Sequence, residues 1–293
     1  MRTLVLAILL GAVLSFFSTA VQARIHTWLR RRPALLGTLP FLLTAVFCGA
    51  AALVGACSLP LFVMILVYTA VPVWCVAGAG PGPAQRPSLR DFAAILLLWL
   101  PVEFHVGSQL IPAAAQGYLH SVAYGVAILL GLLLFRGFRA FPGMKYNLPR
   151  SPRDGWLALA GFAVSAPLLI AAGLAVGFIP WPHLPVRSAS SMAAAVPLIF
   201  IATALPEEIL FRSLIQNLLM LRFGSGWRTL VAAAVVFGAA HLDNGPQPQP
   251  NWRYMIVATI AGLAYGRVFQ KASSVTAPAA LHMMVDWTKH YFF

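Results

Sequence analysis

The sequence predicts an all-α, polytopic integral membrane helix bundle of about eight to ten transmembrane helices. Three observations carry that expectation. The 293 residues are 60% hydrophobic and only 9% charged, whereas the surface of a water-soluble domain needs roughly a quarter of its residues charged. The apolar residues gather into long runs, each close to the length that crosses a hydrocarbon core of about 30 Å at about 1.5 Å per residue. The loops between the runs alternate between basic and uncharged, as cytoplasmic and outer loops do under the positive-inside rule.

The runs follow in order. The first, over 3–22, reads as a transmembrane helix with its N-terminus outside. The same stretch has the n-region Arg2, an apolar centre and a Val21-x-Ala23 pattern that fits a cleaved signal peptide. Cleavage there would leave Arg30, Arg31 and Arg32 outside, against the charge rule. Runs over 34–56, 60–78, 92–111, 118–135 and 155–178 come next, then 191–221, 229–242, 253–268 and 273–291. Loops near 24–33, 79–91, 136–154, 222–228 and 267–272 hold most of the Lys and Arg, which places them in the cytoplasm. The longest polar stretch, "PGMKYNLPRSPRDG", is a connector that divides the protein into two helix groups. A role for residues 1–189 cannot be assigned from motifs, and residues 190–293 carry the chemistry described below.

The net charge of +13 does not indicate nucleic acid, because the basic residues are spread over membrane loops rather than one continuous surface. Cys48, Cys57 and Cys75 lie in or beside apolar runs without metal-ligand spacing and read as packing residues.

The seven acidic residues are the informative minority. Asp91 and Asp154 stand at helix starts, where N-capping explains them, and Asp243 stands at the outer end of a helix. Glu103, Glu207, Glu208 and Asp286 fall inside apolar runs, where an ionisable group costs several kcal/mol and faces protein interior or a watery cavity. Counted from the cytoplasmic helix ends, Glu207, His241, His282 and Asp286 all lie about 10–14 residues in, which is roughly 15–21 Å. Three helices thus bring polar groups to one layer near the bilayer middle.

Spacing links them further. Glu208 and Arg212 in "ALPEEILFR", Phe237 and His241 in "VFGAAHL", and His282 and Asp286 in "LHMMVDW" are all i, i+4 pairs, each on one helical face. Pro206 removes a backbone hydrogen bond just before the glutamates and is expected to bend the helix. Glu103 and His105 in "WLPVEFHVG" are candidates to line a cavity, with Glu103 also able to pair with a site histidine or Arg267. The Pro- and Gln-rich outer loop over 243–253 reads as a hairpin connector, with gating of substrate entry as the other reading.

The ordered set EExxxR, FxxxH and HxxxD resembles the CPBP family of CAAX-processing and bacteriocin-processing intramembrane endopeptidases, also called the Abi family. The resemblance covers about residues 190–290 and includes Gly262 and Gly266, which permit close helix packing. It implies a glutamic-type protease that needs no metal or other cofactor. Carried over, Glu207 and His241 activate a water, His282 and Asp286 stabilise the oxyanion, and Glu208 with Arg212 orients the helix and tunes Glu207. The relatives' Asn is Asp286 here, so this residue either donates when protonated or acts by keeping His282 cationic. The implied partners are the lipid bilayer and a membrane-spanning or membrane-associated peptide substrate, with no nucleic acid; the expected setting is a bacterial plasma membrane. Oligomeric state and substrate identity are not readable. Two alternatives use the same residues: a metal-dependent protease, although HExxH is absent, and a non-enzymatic transporter or immunity factor.

Overall fold

The structure is a computed structural model that describes residues 1–245 and 248–293. The described residues form helices and connecting loops, with no strand among them. Two compact units, Met1–Pro142 and Gly143–Phe293, divide the sequence at the polar connector, so the two helix groups separate where the hydropathy breaks. That boundary lies well before residue 190, where the motif-bearing segment starts.

The first unit contains α1 (Arg2–Ser15), α2 (Thr19–Arg31), α3 (Pro33–Ala52), α4 (Leu59–Ala77), α5 (Leu89–Glu103) and α6 (Ala113–Phe138). The run expected over 3–22 is not one straight helix, because α1 and α2 meet at 89°. Ser18 caps α2, accepting from the Val21 amide at 3.4 Å, and the basic stretch after it is helical rather than a loop. The start of α5 carries a capping box in which Asp91 Oδ2 accepts from the Ser88 amide and hydroxyl at 2.7 and 2.8 Å. Asp91 also pairs with Arg139 at 2.8 Å, buried on both sides. Arg139 in turn donates to the carbonyls of Ala79 and Gly80. Capping thus explains Asp91 in part, and a buried ion pair completes its role.

The second unit contains α7 (Arg153–Ala175), α8 (Ala189–Phe223), α9 (Trp227–Ala239), α10 (Trp252–Lys271) and α11 (Thr276–Phe292). Helices α3, α4, α6, α7 and α8 are long and apolar enough to cross a membrane, and the α1–α2 pair makes a sixth if counted as one broken span. The polytopic helix bundle is therefore as expected; among the described residues five or six spans are full-length by length and composition, where about eight to ten were expected. Helix α9 has only 13 residues and α11 only 17.

Two devices set the register of the second unit. At Gly262, α10 lies so close to α9 that a methyl group would meet the Ala234 Cα at 3.1 Å, the close packing that the glycine pair suggests. Elsewhere in this unit the connector is tied to the turn between α10 and α11. Lys145 Nζ donates to the carbonyls of Phe269, Gln270 and Ala272 at 2.6, 3.1 and 2.8 Å, satisfying the C-terminal orphan carbonyls of α10. Burial pulls the Lys145 ammonium below its usual range, and Asp154 opposes that shift. Asp154, in the first turn of α7, accepts from the Ser273 amide and hydroxyl at 2.9 and 2.6 Å, so it fastens the corner rather than only capping its own helix.

Candidate active site

Helix α8 is continuous but not uniform. Its backbone is π-helical over Phe200–Ala204 and again over Ile209–Gln216, with a single α-helical turn, Leu205–Glu208, between them. The disturbance expected at Pro206 takes the form of a widened helix on both sides of the proline. Insertion of π segments shifts side-chain direction and is common at functional positions. Here it brackets the Glu207–Glu208 pair.

His282 of α11 is the centre of the cluster. Its Nδ1 faces Glu208 Oε1 at 3.1 Å, and its Nε2 faces Asp286 Oδ2 at 3.4 Å and Glu207 Oε2 at 3.9 Å. With carboxylate oxygens on both ring nitrogens, the imidazolium form can donate on both sides. Glu208 has no exposed side-chain surface, and its other oxygen accepts from Arg212 Nε at 2.8 Å. Arg212 is equally buried and continues to Gln216 Oε1 at 3.4 Å. Gln216 then donates to the Gly266 carbonyl at 3.0 Å. A buried polar network therefore runs from α8 through Glu208 to α11 and through Gln216 to α10, and it fixes the His282 ring from behind. Glu207 and Asp286 differ from Glu208: their side chains are 23% and 29% exposed. They form the accessible side of the cluster.

His241 enters differently. It lies just past the last residue of α9, and its Nδ1 bonds the Phe237 carbonyl at 2.8 Å. A carbonyl only accepts, so Nδ1 carries a proton, and in the neutral ring the Nε2 lone pair is left for another donor. The two imidazoles are joined by aromatic rings. The Phe237 ring lies edge-on to His241 at 4.8 Å and to His282 at 5.8 Å, and the Arg212 guanidinium lies over its face at 4.8 Å. Tyr265 stacks on His282 with centroids 4.6 Å apart and planes at 24°. Tyr254 meets His241 at 4.5 Å. The motif reading did not single out these two tyrosines. They are eleven residues apart on α10, close to three helical turns and so on one face, a spacing that sequence reading can use.

The remaining candidates belong to the first unit. Glu103 is the last residue of α5 and accepts from Trp99 Nε1 at 2.9 Å. Arg267 donates to Gln270 at 3.0 Å. His105 is not on the helix with Glu103: α5 has ended, and His105 sits in a turn at φ 49°. It borders a cavity of about 780 Å³ within the first unit, beside His120 at a ring distance of 4.5 Å. In the outer loop, Asn251 Nδ2 donates to the Asn244 carbonyl at 2.8 Å, closing a hairpin; residues 246 and 247, part of the gating suggestion, lie outside the described residues.

The chemical content of the site is general acid–base and electrostatic. A partly exposed carboxylate stands beside an imidazole held between carboxylates, and a second imidazole offers a free lone pair. Three carboxylates, Glu207, Glu208 and Asp286, gather near Arg212, Lys289, which interacts electrostatically with Asp286, and His282, which adds a further positive charge in its imidazolium form. That balance lets the cluster persist in a low-dielectric interior. Among the described residues no three His, Cys, Asp or Glu side chains are arranged to hold a metal ion.

Residues 189–288 match the family model described as "Type II CAAX prenyl endopeptidase Rce1-like". No curated protein and no solved structure matches the sequence.

Proposed function

We propose that this protein, a member of the CAAX-protease (CPBP) family through its residues 189–288, is an intramembrane endopeptidase that hydrolyses a peptide bond of a membrane-associated substrate with a water activated by Glu207 and His241. One observation carries the reading. The accessible Glu207 carboxylate stands 3.9 Å from a His282 ring whose far nitrogen is held by the buried Glu208–Arg212 pair.

The reaction starts from a water that donates one hydrogen bond to the Glu207 carboxylate and the other to the His241 Nε2 lone pair. Glu207 takes a proton as the water oxygen bonds to the scissile carbonyl carbon. The carbonyl oxygen becomes an oxyanion, and His282, the nearest cation, stabilises it in a site shielded from bulk water. Collapse of the tetrahedral intermediate breaks the C–N bond, and the leaving amine receives the proton held by Glu207. Asp286, whose Oδ2 faces His282 Nε2, acts in this scheme as the carboxylate that keeps the ring cationic rather than as a direct donor. Glu208 and Arg212 position His282 and do not touch substrate.

The test is Glu207→Gln, which keeps the shape and removes the proton acceptor. Activity is expected to fall at least about 10²-fold, as for loss of a general base. A membrane-proteome comparison of strains carrying the wild-type and Glu207→Gln proteins should reveal a protein that accumulates uncut in the variant. Identical proteomes, with the variant folded and inserted, would refute the reading.

A further inference from the structure

Lys289 lies two turns beyond His282 on α11 and is absent from every motif. Its Nζ stands 4.5 Å from the ring centre of Phe178 and 4.5 Å from that of Tyr254, two rings stacked on each other at 4.6 Å. Tyr254 is also the ring packed against His241, so one aromatic ring separates this ammonium from the site. The two rings define where the charge sits. Among the described residues the ammonium makes no hydrogen bond, not even to the Tyr254 hydroxyl, and no carboxylate comes within ion-pair distance of it. Asp286, one turn before it, interacts with Lys289 only through space. Arg253, the neighbouring cation on α10, is engaged by the Gly177 carbonyl at 3.2 Å. Beside Lys289 is a small apolar cavity of about 50 Å³, bordered by Leu169, Phe178, Val257, Val285 and Phe293.

We propose that Lys289 is a substrate-specificity residue that receives a carboxylate of the peptide to be cut, with the apolar group next to that carboxylate entering the adjoining cavity. This rests on the endopeptidase reading of the same site. An exposed ammonium with its position set by two rings and its donors unused is suited to a carboxylate, since hydrogen bonds between ionised partners are about twice as strong as neutral ones. The reach fits as well. Seven residues of helix put Lys289 about 10 Å beyond His282, a distance that a few extended residues at about 3.4 Å each cover. A substrate carbonyl at His282 and its carboxylate at Lys289 belong to one short strand of peptide. The carboxylate has two possible sources, the substrate's own C-terminus or an acidic residue within it, and the same ammonium serves either.

The test measures binding and cleavage separately on the full-length protein in lipid micelles. The probes are three apolar hexapeptides: one with a free C-terminal carboxylate, its C-terminal amide, and the amide with Glu at the last position. Binding is measured on Glu207→Gln, in which turnover is expected to be slowed at least about 10²-fold. The free-acid or the Glu peptide is expected to bind at least about tenfold tighter than the plain amide, and whichever does so identifies the source. Adding Lys289→Met should abolish that preference and leave amide binding unchanged, while Lys289→Arg should keep it. A lysine that merely anchors the helix end at the membrane surface gives the opposite pattern: no acid preference, or equal weakening of all three peptides by Lys289→Met. Either result, or no binding of any peptide, overturns the proposal. Cleavage by the Glu207 protein is the separate readout. An acid preference without cleavage would sink the endopeptidase reading and leave carboxylate binding by Lys289 standing. Glu207-dependent cleavage indifferent to the carboxylate would do the reverse.

Discussion

Replacing Glu208 by Gln removes one negative charge and almost no volume from the most buried position of the site. The carboxylate lies 2.8 Å from Arg212 Nε and 3.1 Å from His282 Nδ1, with no exposed side-chain surface on Glu208 or Arg212. At an effective dielectric constant of about 20, each contact between opposite charges at about 3 Å is worth about 5 kcal/mol before desolvation is counted. Desolvation absorbs much of this, and removing one partner of a buried pair costs about 3–5 kcal/mol because the other charge is stranded. Glu208→Gln should therefore lower unfolding free energy by about that amount, a large share of the roughly 5–15 kcal/mol available to a domain. Arg212→Met should cost a similar amount by stranding Glu208. The double variant strands neither member of the pair, so its loss should fall short of the sum by at least about 2 kcal/mol. Reversible denaturant unfolding of the four proteins in micelles measures this cycle. Additivity within about 0.5 kcal/mol would refute the coupling and, with it, the view that Glu208 and Arg212 act as one positioning unit for His282.

Two further outcomes follow from the same geometry. Asp286→Asn removes the charge facing His282 Nε2 at 3.4 Å, so activity should survive under acid conditions and drop most at neutral and higher pH, where the ring is no longer held cationic; a pH–rate profile unchanged from wild type, or flattened on the alkaline side, would instead favour direct hydrogen-bond donation by this residue. Activity should persist in protein stripped by chelator, because both nitrogens of His282 already face carboxylates and Nδ1 of His241 is bound to a carbonyl; stoichiometric bound zinc, with activity lost on its removal and restored on its return, would transfer the chemistry to a metal.

The membrane bundle and the composition of the site are legible in the linear sequence because each rests on a local property. A run of apolar residues spans lipid whatever its neighbours do, and an i, i+4 pair shares a helical face in any fold. Scarcity helped too: with only seven acids in the sequence, those inside apolar runs stand out. Glu207, Glu208, Arg212, His282 and Asp286 could thus be grouped before any contact was known. What sequence could not determine was direction and partnership, which depend on how helices pack. Pro206 announced a disturbance, and the structure places two π-helical stretches on either side of the short α-helical turn that holds it. Glu103 and His105, close in sequence, separate because α5 stops between them. The apolar N-terminal stretch reads as one span, yet its backbone turns by 89° at Ser18, whose hydroxyl caps a new helix. Only tertiary packing decided that His282, rather than Glu207, is the centre on which three carboxylates converge, and that Tyr254, Tyr265 and Lys289 belong to the same neighbourhood. Helix spacing places residues on a face, whereas close contact between helices such as that at Gly262 decides which faces meet.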